Sequence, residues 1–222
     1  MISSIEYIND MRYGVNAILG DGKTFKSGTL YSILDICPKL RERPKAFWKF
    51  PNVRKLFPDY LNCYSVDYFD EIKNGSVVVI EDANRVFPSR ASSRSFDIQE
   101  ILGLSSHKDW LFFLTLQSGS NVDQAFFRDQ DVNMIYKKKN PVAIQFERPE
   151  FQSDCVQANM VIDKYSRIYK VNPLYVSYLP RFDPSALILD SPPSWYGYAQ
   201  SHALSDYVVG DSLRSKSKGE VV

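Results

Sequence analysis

The run at residues 76–80 (SVVVI), with Glu81-Asp82 after it, is the most strand-like in the chain and apolar on both faces. A strand with one wet face alternates apolar and polar residues. One that does not alternate has to be covered on both faces, as a central strand of a parallel sheet is when helices flank it. Gly14–Leu19 (GVNAIL) and residues 110–116 (WLFFLTL) read the same way, and Val132–Tyr136 (VNMIY) and residues 45–50 (KAFWKF) supply further strands. Polar stretches of helical spacing lie between them. In residues 29–40, Leu30, Ile33 and Leu34 share one face, and Pro38 should end or kink the helix. Residues 66–73 and 96–104 read as two more helices, and Asn74-Gly75 marks a turn. Strands and helices alternating at this spacing predict an α/β fold, a mostly parallel sheet sandwiched by helices in three layers.

Past Asn140 the pattern changes. Residues 149–170 read as one long helix, 174–179 as a strand, 183–194 as a proline-rich stretch and 195–208 as a last helix, with a polar tail at 212–222. The expected organisation is a core over 1–140, a small helix-and-strand extension over 141–211 that packs on it, and the tail. With 222 residues, 44% of them apolar and 14% aromatic, the chain can bury one sizeable core. A net charge of +1 gives no global field for nucleic acid, so any such contact has to be local or repeated around a ring. The three cysteines, Cys37, Cys63 and Cys155, are widely spaced, form no CxxC pair, and read as free thiols of a reducing compartment. The first residues lack a signal peptide's charged start and apolar block, and no run is long enough to span a membrane. The chain is expected to be soluble and intracellular.

Between the first strand and the helix that follows lies Gly20-Asp21-Gly22-Lys23-Thr24-Phe25-Lys26-Ser27. A phosphate-binding loop needs this order of strand, glycine-rich turn and helix. Backbone N–H groups and the helix start cradle phosphate, a Lys adds charge at the outer phosphates, and a Ser or Thr hydroxyl binds Mg2+. The pattern GxxxxGK[ST] maps onto Gly20, Phe25, Lys26 and Ser27, with Phe25 in place of the second Gly. A second register, Gly22-Lys23-Thr24 as GKT, would convert Ile18 and Leu19 from strand to loop. A polar turn that merely carries two lysines is the plain alternative.

The acid-ended strand gives the loop a partner. In enzymes of this chemistry one acid at a strand tip holds the metal, and its neighbour polarises the attacking water. Here Glu81 takes the metal-side role with Ser27, and Asp82 is the base. The strand WLFFLTLQ ends in Gln117, which can orient water or sense the γ-phosphate. Arg85, Arg90, Arg94 and Arg128 are candidates to act across a subunit boundary, with Arg128 preferred. His107 and His202 read as ordinary, partly buried side chains.

The order of these elements resembles the zonula-occludens-toxin-like branch of the FtsK/HerA P-loop ATPases. The resemblance runs over about 17–139: the acid-ended strand, Ala83, Phe87 and Arg90, the His107 segment, the strand with Thr115 and Gln117, then Val122, Asp123 and Arg128. The chain departs from that pattern at Phe25, in the Glu81-Asp82 order, and at Ser106, where an Arg often stands. The resemblance implies a ring-forming ATPase, expected as a hexamer, that uses ATP and Mg2+ to move double-stranded DNA into a capsid or to drive virion assembly. A capsid or portal protein would be its partner, and its place the host cytoplasm or the virion. Toxin-like relatives carry a membrane span after the core; its absence here favours a soluble motor. Lys137-Lys138-Lys139, with Arg54 and Lys55, is the candidate DNA-phosphate patch. The competing expectation is an inactive scaffold that keeps the fold without hydrolysis.

Overall fold

The computed structural model describes residues 4–89, 95–128, 132–180 and 187–204. Its strands are β1 (Gly14–Leu19), β2 (Lys45–Trp48), β3 (Cys63–Val66), β4 (Val77–Ile80), β5 (Leu111–Leu116), β6 (Val132–Tyr136), β7 (Val176–Tyr178) and β8 (Leu187–Leu189). They form one eight-stranded sheet in the order β3-β2-β4-β5-β1-β6-β7-β8. The first six are parallel, and β7 and β8 add antiparallel at one side. The fold is α/β, with a helical layer on each face of the sheet.

The non-alternating strands are buried on both sides, as their composition requires. Val78, Ile80, Phe112 and Leu114 face one core with Ile98, Leu102, Phe151 and Ala158. Val77, Val79, Leu111 and Phe113 face the other with Leu30, Ile33 and Leu34. Burying each such Val, Leu or Phe side chain contributes about 1.5–3 kcal/mol.

The helix expected over 29–40 is Lys26–Ile36, three residues earlier at its start. Pro38 ends it and opens a separate turn of helix, Pro38–Glu42. The long helix is Pro149–Tyr169. The helix expected at 66–73 does not form. Val66 closes β3, paired in parallel with Trp48, and only the 3-10 turn Phe69–Glu71 follows. Burial of Val66 against β2 outweighs a helical start, and Glu71 turns its carboxylate back onto the N–H groups of Asp67 and Tyr68 at 2.8 and 3.1 Å. The proline-rich stretch holds the short strand β8. The last helix is Tyr198–His202, and residues 205–208 of the expected helix, like the 212–222 tail, lie outside the described residues. No helix among the described residues is long and apolar enough to cross a membrane.

Candidate functional site

β1 lies between β5 and β6, and its chain leaves the sheet at Gly20. The Gly20 N–H donates to the Leu116 carbonyl at 3.1 Å. A Cβ at Gly20 would stand 2.6 Å from the Lys137 Cβ, so the backbone passes here only without a side chain. Asp21 then ties the loop down. Its carboxylate accepts from the Asn140 N–H at 2.6 Å, and its carbonyl accepts from Thr24 Oγ1 at 2.8 Å and Lys26 Nζ at 2.6 Å.

Phe25 occupies the position where the pattern wants Gly, and its φ of 67° is the left-handed conformation that Gly supplies without penalty. The cost to an L side chain is about 1–2 kcal/mol. Ring packing offsets it: Phe25 meets Tyr175 and Tyr196 edge-on at centroid distances of 5.0 and 5.3 Å and lies over Gly28. The aromatic side chain therefore turns toward the C-terminal segment, and the small residue that makes room for it stands three places on.

Lys26 opens the helix and is 8% exposed. Burial lowers the pKa of its ammonium, and the nearby Asp82, Glu81 and Asp21 carboxylates counter that shift. Ser27 Oγ donates to Glu81 Oε2 at 2.8 Å, and Thr115 Oγ1 donates to the same oxygen at 2.7 Å. The Asp82 N–H in turn donates to Thr115 Oγ1 at 2.8 Å. β5 separates β1 from β4, so the loop and the acidic tip stand two strands apart and Thr115, on the strand between, joins them. Lys23, exposed with φ of 61°, and Thr24 make no such contact with the acids.

Glu81 is almost fully enclosed. Burial pushes its carboxyl pKa up, and the Tyr31, Thr115 and Ser27 hydroxyls around it pull in the opposite direction. Its Oε1 has no hydrogen-bond partner among the described residues, and the buried Tyr31 hydroxyl falls short of bonding geometry. Asp82 is half-buried with φ of 48° and starts the short helix Ala83–Val86. Both acids border a cleft of about 220 Å3 that Ser27, Arg85, Gln200 and Ser201 also line. Gln200 Nε2, on the helix Tyr198–His202, is anchored on the Leu56 carbonyl at 2.6 Å.

The remaining predicted residues fall outside this cleft. Gln117 is exposed at the tip of β5; its N–H donates to Asn84 Oδ1 at 2.9 Å and its carbonyl accepts from Lys139 Nζ at 2.6 Å. Arg128 ends the helix Ala125–Arg128, exposed and away from the cleft lining. Arg90 and Arg94 lie outside the described residues. Arg54 and Lys55 border a separate groove with Tyr64 and Lys73, beside edge strand β3. His107 and His202 are exposed rather than partly buried.

The triple lysine is not a solvated patch. Lys137 is 1% exposed: its Nζ donates to Thr29 Oγ1 at 3.0 Å and Ser177 Oγ at 3.2 Å and stands 4.0 Å from Asp190. Lys139 is 3% exposed and pairs with Glu147 at 3.0 Å and Asp21 at 3.6 Å. Lys138 is paired with Asp163. β6 runs in between the loop and the extension, and both flanks supply acids that hold its lysines. The three thiols are free, with Cys37 and Cys155 buried.

Reading motifs alone missed the contributions of Asn84, Tyr31, Gln200 and Ser201, and took Lys139, which pairs with Glu147 and Asp21, for a DNA contact. Thr115 was in view as a motif residue, but its bond to the acids depends on strand order.

The donor set suits a divalent hard cation. Ser27 Oγ and the Glu81 carboxylate are adjacent oxygen donors, and Glu81 Oε1 is a buried acceptor with no hydrogen-bond partner among the described residues.

The genome-packaging NTPase B204 from Sulfolobus turreted icosahedral virus 2, in complex with ATP-gammaS, superposes with a TM-score of 0.53 at 11% identity, over 83% of this chain and 99% of that chain. B204, the DNA-packaging ATPase from Sulfolobus turreted icosahedral virus, gives 0.52 at 14% identity, over 81% and 98%. The chain has the α/β P-loop NTPase fold that these B204 proteins share. The N-terminal domain of zonular occludens toxin from Neisseria meningitidis is a weaker likeness, with a TM-score of 0.42 at 18% identity over 58% of this chain and 78% of that chain. No protein-family model and no curated protein matches the chain.

Proposed function

We propose that the chain is an ATP-driven, DNA-translocating motor subunit for viral genome packaging or virion assembly, hydrolysing ATP with Mg2+ at sites between the subunits of a ring. The observation that carries this reading is the bond of Ser27, beside Lys26, to Glu81 of the acidic pair, with Thr115 linking Asp82 into the same network. Phosphate-loop chemistry needs a cation, a hydroxyl and two acids near one spot, and the reading is supported by Ser27, Glu81 and Asp82 bordering one cleft next to the helix that Lys26 opens.

In this reading the loop N–H groups and the start of Lys26–Ile36 hold the β-phosphate. Lys26 leaves the Asp21 carbonyl for the outer phosphates. Ser27 and Glu81 would hold a magnesium ion, which when bound would neutralise charge on the phosphate oxygens. Asp82, open to the cleft, accepts the proton of the attacking water as its oxygen bonds the γ-phosphorus and the bond to the bridging oxygen of ADP breaks. Arg85 would contribute charge from the same subunit, Arg128 would do so from a neighbouring one, and Gln117 would orient water. In this reading residues 1–140 are the hydrolytic core and 141–211 an extension that would pack on it, as the described helix Pro149–Tyr169 does. With Lys137 and Lys139 committed to internal acids, the DNA phosphates fall to exposed cations such as Arg54 and Lys55. The setting is the host cytoplasm or the virion, with a capsid or portal protein as docking partner.

The test is ATP turnover with and without double-stranded DNA, together with particle mass. The reading expects Mg2+-dependent turnover, stimulated by DNA at low salt, from a ring-sized particle. A strict monomer in the presence of nucleotide and DNA contradicts translocation, and failure to bind Mg2+-nucleotide leaves the scaffold reading instead.

A further inference from the structure

Thr115 lies where the resemblance placed a motif residue, but the motif gives it no role toward the acidic pair. It is 1% exposed, on the strand between the phosphate loop and the acid-ended strand. Its single hydroxyl is used in both directions: the proton goes to Glu81 Oε2 at 2.7 Å, and the oxygen receives the Asp82 N–H at 2.8 Å. One side chain thus grips the carboxylate of one acid and the backbone of the next.

That grip acts where the backbone is under strain. Asp82 has φ of 48° and ψ of 52°, a conformation an Asp adopts less readily than a Gly. The bond from its N–H to Thr115 is one of the interactions that hold it there. Two residues further on, Asn84 pins the same turn to the same strand: its Oδ1 accepts the Gln117 N–H at 2.9 Å, and its Nδ2 donates to the Ser118 carbonyl. The acidic turn is therefore fastened to the tip of β5 at two points.

We infer that Thr115 is a positioning residue that sets Glu81 and Asp82 together: its hydroxyl fixes the carboxylate beside Ser27 and holds the left-handed turn that aims Asp82 into the cleft. The inference rests on the proposed ATPase function for its kinetic consequence, and on geometry alone for its structural one. Without the hydroxyl, Glu81 keeps its bond from Ser27, so nucleotide still binds. What is lost is the alignment of the base, and loss of such supporting bonds typically costs 10–100-fold in activity.

The experiment compares Thr115→Val, which keeps the shape and removes the hydroxyl, with Thr115→Ser, which restores it. Turnover is normalised to sites filled by a fluorescent ATP analogue, so that any unfolded fraction drops out. Exchange of the Asp82 amide proton is followed by NMR without nucleotide. The inference expects Thr115→Val to lose roughly 10–100-fold in kcat with KM for ATP changed less than about threefold, and to lose Asp82 amide protection. Thr115→Ser should recover both. It is overturned if Thr115→Val retains wild-type turnover per filled site, if Thr115→Ser is as impaired as Thr115→Val, or if Asp82 stays protected in Thr115→Val. Absence of turnover in the wild-type chain would overturn the ATPase reading instead, and the amide-exchange arm would still decide the role of Thr115.

Discussion

The ring of Phe25 lies on the backbone of Gly28: a Cβ added at position 28 would come within 2.0 Å of the ring's Cζ. The two residues therefore form a matched pair. An aromatic side chain at the tight turn of the loop is compatible with the fold because the helix beneath it carries no side chain there. Gly28→Ala should lower stability by about 1–3 kcal/mol, the usual cost of overpacking. In the double variant Phe25→Gly/Gly28→Ala the clash is gone, so its loss should be smaller than the sum of the two single losses. Chemical denaturation of the four proteins measures this directly.

Lys139 holds Glu147, whose side chain is 1% exposed, and also reaches Asp21 of the phosphate loop. Replacing it with Met leaves that carboxylate buried without its cation, a change that costs about 3–5 kcal/mol. Its neighbour Lys138 pairs with Asp163 at the surface, and Lys138→Ala should stay within about 1 kcal/mol of wild type. Urea midpoints of the two variants check the contrast. A weakened DNA affinity with unchanged stability in Lys139→Met would show that the lysine faces nucleic acid after all.

Two buried lysines give stability an unusual dependence on pH. Burial pushes Lys45 and Lys137 down to about 8. Cys63 and Asp35 pull Lys45 upward while Arg43 and Arg41 push it further down; Asp190 pulls Lys137 up and Lys26 pushes it down. In the unfolded chain each lysine keeps its proton to about 10.4. From about pH 8 upward the unfolded state therefore binds more protons, and these groups add stability as pH rises. The thiols oppose this. Burial raises Cys37 to about 11 and Cys63 and Cys155 to about 12, so the folded state holds protons that the unfolded thiols release from about pH 8.5. Stability should pass through a maximum in mildly alkaline solution. The stability of wild type relative to Lys45→Met should rise between about pH 7 and 10, as read from denaturation midpoints across that range.

The two acids should separate by assay. Asp82 borders the cleft, while the adjacent Glu81 carboxylate is buried and held by Ser27 and Thr115. Asp82→Asn should lower turnover by about 10²–10⁴-fold, the contribution of a positioned base, with nucleotide still bound. Glu81→Gln should instead raise the Mg2+ concentration needed for half-maximal activity. Titrations of ATP and Mg2+ on both variants check the division of roles.

Much of the sheet was legible because its strands are apolar on both faces. β1 and β6 begin and end where the residue pattern places them, and Pro38 breaks the helix as a proline must. β3 was not, since CYSV is short and buried only at its last residue, and becomes a strand through its pairing with β2. The loop and acids were readable from spacing. The partners that bind them together were not: Thr115 reaches Glu81 across 34 positions and Gln200 reaches Leu56 across 144. The lysines after β6 were misread for the same reason. A run of like charge at a strand end signals solvent unless acids from distant segments, here Asp21, Glu147, Asp163 and Asp190, come to meet it. Phe25 read as a defect in the motif, and its accommodation depends on a glycine whose role appears only once the helix is built.

The central claim is that Lys26, first residue of the helix and close to Glu81 and Asp82, is the phosphate-binding lysine. Steady-state ATP hydrolysis by wild type, Lys26→Ala and Lys23→Ala tests it most directly. The account predicts Mg2+-dependent turnover in wild type, a loss of about 10²-fold or more in Lys26→Ala, and activity near wild type in Lys23→Ala. Turnover that survives Lys26→Ala and disappears in Lys23→Ala would contradict it.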